Sequence, residues 1–300
     1  MITGITVTRL RRAAAVAVTS GALVATGALT AAPAQAVTAP SIVAKGGYLM
    51  NNANNSTLYV KNADGQLSTG STTKIMTAKV VLAQPNLNLD AKVEIKKIYS
   101  DYVVRNNASL AHLIVGDKVT VRDLLYGLML PSGCDAAYAL ADKFGSGSTT
   151  AARVKSFVGK MNSAAAALHL QNTHFDSFDG IGNGNNYSTP RDLTKIASSA
   201  MKNATFRAVV KTKTYTAKTQ TKSGGTRTMA PWKNTNGLLG SYSGTIGVKT
   251  GSGPEAKYCL VFAATRNGKT VIGTVLASSS IAQREADAKK MMSYGFARLG

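Results

Sequence analysis

The sequence has few of the residues on which several common kinds of enzyme site depend. Only three of its 300 residues are histidine, and no HExxH segment occurs. Because His112, His169 and His174 also lack helical metal-ligand spacing, the sequence argues against a zinc peptidase. No GxSxG segment is present, which argues against the Ser-His-Asp hydrolases that carry their serine on such a turn. We expect neither a metal nor another cofactor.

Cysteine is equally scarce, with two residues in the whole chain. Two cysteines are too few for the disulfide framework that small exported proteins use. Cys134 begins a predicted helix, and Cys259 lies in the apolar segment KYCLVFAAT, where it is most simply a core residue. An oxidising compartment would permit a bond between them, but these contexts favour two free thiols.

Acidic residues are also few: 14 Asp and Glu stand against 35 Lys and Arg, a formal charge of +21. So basic a surface attracts polyanions. No basic and aromatic pattern typical of a nucleic-acid module is present, so we expect no nucleic-acid partner. An exported protein would instead make peripheral contact with anionic membrane lipid or wall polymers.

The first 36 residues predict export. Arg9, Arg11 and Arg12 precede a short apolar stretch over residues 13–29, and Ala34-Gln35-Ala36 has the A-x-A form of a cleavage site. The arginine pair would permit twin-arginine export, but the sequence favours the general secretory route. Removing residues 1–36 lowers the formal charge to +18, because it takes away three arginines and no acid. We expect a secreted protein on the cell wall or the outer face of the membrane.

The mature chain, residues 37–300, alternates between strand and helix patterns. A hairpin over residues 47–61 precedes helices predicted over residues 121–130, 134–144, 151–170 and 189–201. Strands follow over residues 245–249, 257–265 and 269–277, and then a last helix over residues 281–299. This order predicts an α+β fold with two lobes. An antiparallel sheet flanked by helices (about 37–75 and 205–300) would adjoin an all-helical lobe (about 76–204), with a site in the cleft between them.

The segment GSTTKIMTAKVVL carries a serine and a lysine three positions apart. If a helix begins near Ser71, Ser71 and Lys74 lie one turn apart on one face, where the lysine could take the serine's proton. A lone SxxK segment is weak evidence, since a capping serine beside a solvated lysine is far more common. Ser199 and Lys202 have the same spacing.

Two further motifs turn the SxxK segment into specific evidence. Ser132-Gly133-Cys134 begins 61 residues after Ser71, in a turn between helices, and Lys249-Thr250-Gly251 begins 117 residues after Ser132, on a strand. In this order the three segments are typical of penicillin-binding proteins and class A β-lactamases. Across nearly its whole mature length the chain resembles the serine D-alanyl-D-alanine peptidases, which are low-molecular-mass penicillin-binding proteins of the SxxK acyltransferase superfamily. Segments such as VTVRDLLYGLMLPSGCDAAYALAD and YSTPRDL carry the likeness. The resemblance implies a penicillin-recognising, β-lactamase-like fold.

The resemblance also implies a role for each motif residue. Ser71 would be the acylated nucleophile and Lys74 its base, while Ser132 would pass the proton to the leaving nitrogen. Lys249 would lower the pKa of Lys74 by its charge. These four would be the catalytic residues. Thr250, with Gly251 and Cys134, would bind substrate, and the backbone N–H groups of Ser71 and Ser252 would form the oxyanion hole.

The substrates implied are peptidoglycan stem peptides that end in D-Ala-D-Ala, with peptide amines as acceptors and β-lactams as covalent inhibitors. Such an enzyme is a carboxypeptidase when water takes the acyl group and a transpeptidase when an amine does. The resemblance favours transpeptidase, acting as a monomer in cell-wall synthesis. The middle motif departs from the family, in which SxN is usual. Because a thiol is a weak donor and a weak acceptor, Cys134 predicts weaker hydrogen bonding to the substrate amide and slower acylation.

Two alternatives carry the same motifs. A serine β-lactamase needs a base that hydrolyses the acyl-enzyme, and the only glutamates are Glu94, Glu255 and Glu285, none of them in the loop over residues 172–188 where that base is sought. A basic wall-binding module with a vestigial site would have lost motif residues, yet Ser71, Lys74 and Lys249 are all present. The peptidase is therefore favoured.

Overall fold

The computed structural model describes residues 37–182 and 184–300, so the predicted signal peptide, residues 1–36, lies outside the described residues. The strands are β1 (Gly46–Asn51), β2 (Thr57–Lys61), β3 (Leu67–Ser68), β4 (Lys92–Glu94), β5 (Lys118–Thr120), β6 (Tyr187–Ser188), β7 (Thr214–Tyr215), β8 (Lys218–Gln220), β9 (Thr226–Thr228), β10 (Trp232–Lys233), β11 (Thr245–Gly253), β12 (Lys257–Arg266) and β13 (Lys269–Ser278). The helices are α1 (Lys74–Leu82), α2 (Lys97–Arg105), α3 (Val121–Met129), α4 (Cys134–Phe144), α5 (Thr150–Ala167), α6 (Pro190–Ala200), α7 (Ala204–Lys211), α8 (Leu238–Ser241) and α9 (Ile281–Leu299).

The central element is a five-stranded antiparallel sheet in the order β11-β12-β13-β1-β2. The first and last strands of the described chain are neighbours in it, because β1 pairs with β13 along its whole length. Asn267 and Gly268 join β12 to β13 with φ angles of 48° and 73°, which are the left-handed values that a tight hairpin requires. The predicted sheet of early and late strands is confirmed, and β11 lies at its edge.

Alternating side chains of the sheet enter two different cores. Leu260 and Phe262 pack with Met291 of α9 on one face, whereas Val261 and Ala263 belong to the core that helices α1 to α7 form on the other. That second core joins the sheet to α1, α6 and α7. The sheet is therefore buried on both faces, and its free edge along β11 is the natural place for a ligand.

Local signals account for most element boundaries. Thr120 and Thr189 cap α3 and α6 by accepting from the backbone N–H groups of Asp123 and Asp192. Helices α4 and α9 have the predicted bounds. Two boundaries were wrong by three or four residues, and several others differ by one: the helix predicted over residues 151–170 ends at Ala167, and the strand predicted to end at residue 249 continues to residue 253. The lysine-threonine-glycine motif therefore lies within the edge strand and not at its end.

Three features were not predicted from the sequence. They are helix α2, helix α7, which begins after the capping residue Asn203, and the small sheet β4-β5-β8-β9. Each strand of this small sheet is three residues long, which is too short for a period-two pattern to be seen. The division into lobes at residues 75 and 204 stays a prediction. Among the described residues, no helix is long and apolar enough to cross a membrane.

A buried carboxylate ties three helices of the helical region together. Asp142 of α4 accepts from Lys96 Nζ and Tyr99 Oη at 2.6 Å each, next to and within α2, and from Arg153 Nε of α5 at 2.6 Å. Burial raises the pKa of Asp142, but the hydrogen bonds from Arg153, Lys96 and Tyr99 outweigh it and hold that pKa below its usual range. A lowered pKa means that the ionised carboxylate stabilises the folded state.

Asp142→Asn should lower the free energy of unfolding by about 2–3 kcal/mol at pH 7, because two cations lose their partner. Since the folded pKa lies below the unfolded value of about 4, the stabilisation is complete above pH 4 and is lost as the pH falls towards the folded pKa. Urea denaturation of both proteins at pH 7 and at lower pH measures this. Asp101→Asn, which removes an exposed pair with Lys97, is the matched control and should change stability by less than about 0.5 kcal/mol. If Asp142→Asn lowered the free energy of unfolding by the same amount at every pH, the stabilising role of the ionised Asp142 carboxylate would be contradicted.

Candidate active site

The predicted nucleophile lies at the start of the first helix. Ser71 sits in a 3-10 turn, Gly70–Thr73, and not in the α-helix itself, which begins at Lys74. The turn packs closely against the edge strand at Gly70. Gly70 has a φ of 48°, and a Cβ at this position would lie 3.0 Å from the backbone oxygen of Ser252. Gly251 faces the turn in the same way, since its Cβ would lie 2.7 Å from Thr69 O. Two glycines thus let the nucleophile's turn and β11 touch.

Lys74 is the centre of the hydrogen-bond network at the site. It is fully buried, and its Nζ lies 2.8 Å from Ser71 Oγ, 3.3 Å from Cys134 Sγ and 3.0 Å from the backbone oxygen of Asp179. A neutral amine has two hydrogens and one lone pair. If the hydrogens go to the sulfur and to the Asp179 oxygen, the lone pair faces the serine hydroxyl. This arrangement can accept the proton of Ser71.

The serine of the second motif is held in a strained turn. Ser132 has a φ of 66°, a conformation that non-glycine residues rarely adopt. Its backbone oxygen accepts from Ser109 Oγ at 2.6 Å, while its own Oγ is buried with no hydrogen-bond partner among residues 37–182 and 184–300. A buried hydroxyl without a partner is costly. It has its full donor and acceptor capacity left for a substrate.

Cys134, at the first turn of α4, is fully buried. Burial raises the pKa of its thiol to about 11, against the opposing effect of the Lys74 charge, and Asp179 raises it further. The group is therefore a neutral thiol at neutral pH. Both cysteines of the chain are free in the structure.

Lys249 of the third motif is almost completely buried, 1% exposed, and its Nζ donates to the backbone oxygen of Thr250 at 3.1 Å. Burial lowers the pKa of Lys249 well below its usual value, and the charges of Lys74 and Arg284 lower it further. Thr250 Oγ1 lies 2.6 Å from Thr235 Oγ1, and both threonines line the same cavity.

A cavity of about 600 Å³, which we call the catalytic cavity, joins the three motifs. Its lining includes Ser71, Ser132, Thr235, Thr250, Gly251, Ser252 and Arg284. Lys74, Cys134 and Lys249 lie behind this surface. Among the described residues that line the cavity, none is a carboxylate. His112, His169 and His174 are exposed elsewhere, and no cluster of metal-ligating side chains occurs in residues 37–182 or 184–300.

Three residues of the site were missed from the sequence. Asp179 contributes its backbone oxygen from the loop over residues 172–188, while its carboxylate accepts from Tyr102 Oη at 3.0 Å and from Ile181 N at 2.9 Å. Thr235 pairs with Thr250, and Arg284 of α9 donates to Gly251 O at 3.1 Å. None carries a motif, because a backbone oxygen or a distant helix becomes part of a site only through tertiary structure.

The fold is the penicillin-recognising fold of serine acyltransferases. A family model described as D-alanyl-D-alanine carboxypeptidase (peptidase S11) matches residues 33–280, and the chain belongs to this family.

Two relatives show how close the match is. The chain is 78% identical over 289 residues to the D-alanyl-D-alanine carboxypeptidase of Streptomyces sp. strain K15, an alignment that covers 96% of this chain and 99% of the relative. The crystal structure of the Streptomyces K15 DD-transpeptidase matches with a TM-score of 0.86 and 81% identity, over 87% of this chain and 100% of that one. The D-alanyl-D-alanine carboxypeptidase DacF of Bacillus subtilis is 32% identical over 85% of this chain and 62% of its own length.

Proposed function

We propose that this enzyme is a serine DD-peptidase that acts on peptidoglycan stem peptides ending in D-Ala-D-Ala and transfers the acyl group to amines in preference to water. The contact between Ser71 Oγ and Lys74 Nζ, 2.8 Å long at the base of the catalytic cavity, carries the proposal. The names of the Streptomyces relatives, a D-alanyl-D-alanine carboxypeptidase and a DD-transpeptidase, support the substrate and both reactions.

In acylation, Ser71 Oγ forms a bond to the carbonyl carbon of the penultimate D-alanine, and the bond from that carbon to the terminal D-alanine nitrogen breaks. Lys74 takes the serine proton. Ser132, whose hydroxyl lacks a partner in the described structure, passes a proton to the leaving nitrogen, and D-alanine departs. The backbone N–H groups of Ser71 and Ser252 stabilise the oxyanion.

Thr250 and Gly251 bind the substrate along the free edge of β11, where an extended peptide can add as a further strand. The Thr250 hydroxyl donates a hydrogen bond to the terminal carboxylate. Lys249 supplies positive potential when it is protonated, and Cys134 accepts one hydrogen of the Lys74 amine. Because sulfur accepts weakly, it orients Lys74 less firmly than an amide oxygen would.

The second step of the reaction is the removal of the acyl group from Ser71, and its slowness with water explains why a β-lactam should remain bound. No carboxylate among the described residues lines the cavity to activate a water molecule, and the carboxylate of Asp179 is engaged with Tyr102 and Ile181. This disfavours a β-lactamase. An amine acceptor needs less help than water, since it is the stronger nucleophile.

The test is a partition assay with a donor peptide that ends in D-Ala-D-Ala and has its own amines acetylated. With glycylglycine as acceptor, the transferred product should rise with acceptor concentration while the hydrolysed product falls. Release of D-alanine with hydrolysis alone at every acceptor concentration would overturn the preference for amines. Absence of D-alanine release would overturn the peptidase itself.

Export through the signal peptide, with residues 1–36 removed, and residence at the cell wall or the outer face of the membrane are part of this proposal. The formal charge of +18 after cleavage favours peripheral attraction to anionic lipid or wall polymers. The enzyme works as a monomer and binds no nucleic acid.

A further inference from the structure

A second, smaller cavity of about 240 Å³ adjoins the catalytic cavity. We call it the side cavity, and its lining includes Ser68, Gly70, Gly180, Asn186, Ser252 and Glu255. The two cavities share Gly70, Gly180 and Ser252 but differ in their ends. Thr250 and Ser132 line only the catalytic cavity, whereas Glu255 and Asn186 line only the side cavity.

The polar side chains that line only the side cavity are suited to a positively charged group. Glu255 is its only ionisable lining residue among those described, in a chain with 35 basic and 14 acidic residues. Asn186 is more than nine-tenths buried, and its Nδ2 donates to Thr69 Oγ1 at 2.7 Å and to Thr73 Oγ1 at 2.9 Å. Its Oδ1 has no hydrogen-bond partner among the described residues. A carboxylate residue and an amide residue whose carbonyl oxygen is unpaired among the described residues therefore line the same cavity, and no described Lys, Arg or His lines it.

The position of the side cavity follows from the proposed function, on which this inference rests. With the scissile carbonyl between Ser71 and Ser252 and the leaving D-alanine towards Thr250, the rest of the donor peptide runs the other way along β11. That direction leads through Gly253 to the turn that carries Glu255. One residue of an extended chain spans about 3.3 Å, so the residue before D-Ala-D-Ala lies beside this turn.

We propose that the side cavity binds the side chain of the donor residue that precedes D-Ala-D-Ala, and that Glu255 selects donors in which this side chain ends in a free ammonium group. Glu255 is thus a specificity-determining residue, which acts on substrate binding and not on the chemical step. Donors whose side-chain amine has already been acylated lose this interaction.

The experiment compares two donors, Nα-acetyl-lysyl-D-Ala-D-Ala and the same peptide with its side-chain amine also acetylated. Wild type should release D-alanine from the free-amine donor with a kcat/KM about twofold to fivefold higher, the range of an exposed ion pair. Glu255→Gln should abolish this preference, and Glu255→Lys should reverse it. Glu94→Gln removes the same charge from a distant exposed position and should keep the preference.

Acylation by benzylpenicillin separates the two proposals, since its side chain is neutral. Glu255→Gln should form the penicilloyl adduct at a rate within about twofold of wild type, because an exposed charge away from the serine contributes little. If wild type forms no adduct, the proposed function fails. If the adduct forms normally but Glu255→Gln retains the preference for the free amine, the assignment of Glu255 alone is overturned.

Discussion

Ser71→Ala should form no penicilloyl adduct at any time of incubation, whereas wild type should form one that persists. The serine hydroxyl is the only nucleophile on the cavity wall that lies within hydrogen-bond distance of the Lys74 amine among the described residues. Its loss removes the atom that carries the acyl group, so the expected fall in acylation is at least about 10³-fold to 10⁴-fold. Intact-mass spectrometry of the mature protein with benzylpenicillin, followed over time, measures both the adduct and its lifetime.

The chain offers its own control in the second serine-x-x-lysine segment. Ser199 has the same spacing to Lys202 but lies on α6, away from both cavities. Ser199→Ala should acylate as wild type does. An adduct on Ser71→Ala would show that another residue is acylated. A wild-type adduct that vanishes within seconds would favour a β-lactamase with a base that the structure does not place at the site.

Lys74→Met should slow acylation by about 10²-fold to 10⁴-fold, the range for loss of a general base. Methionine is close to lysine in length and fills the same buried space without the amine, so Ser71 keeps its position and loses its proton acceptor. The rate of adduct formation on Lys74→Met and wild type, measured by mass spectrometry under the same conditions, gives the effect.

A measurement of thermal stability distinguishes a loss of catalysis in Lys74→Met from a loss of the fold. Because methionine fills nearly the same buried volume as the lysine side chain, Lys74→Met should still unfold cooperatively, and its Tm tests whether the fold survives the loss of the amine. Lys79→Met, on the same helix and outside the cavity lining, should acylate at the wild-type rate. If Lys74→Met acylates within about tenfold of wild type, another group takes the serine proton, and Lys249 is the nearest candidate by charge and burial.

Much of the fold could be predicted because its signals are local. The Asn267-Gly268 turn, the capping threonines at positions 120 and 189, and the glycine and proline residues that end helices each act over a few residues. Segments whose structure depends on distant partners were missed. Helix α2 is held by Tyr99 and by Lys96 before it, both bound to Asp142 on α4. No pattern within α2 itself reveals that partner.

The three motifs and their order are properties of the sequence alone, and as a set they are typical of penicillin-binding proteins and class A β-lactamases. The sequence also determined the departure at Cys134 and the absence of glutamate from the loop over residues 172–188. Only the tertiary structure decided which groups surround Lys74: a thiol from α4 and a backbone oxygen from Asp179, 105 residues away. It likewise decided that Glu255 and Asn186 line one cavity. The physical reason is that a spacing of three residues fixes a distance within a turn, whereas contacts between distant segments depend on how the whole core packs.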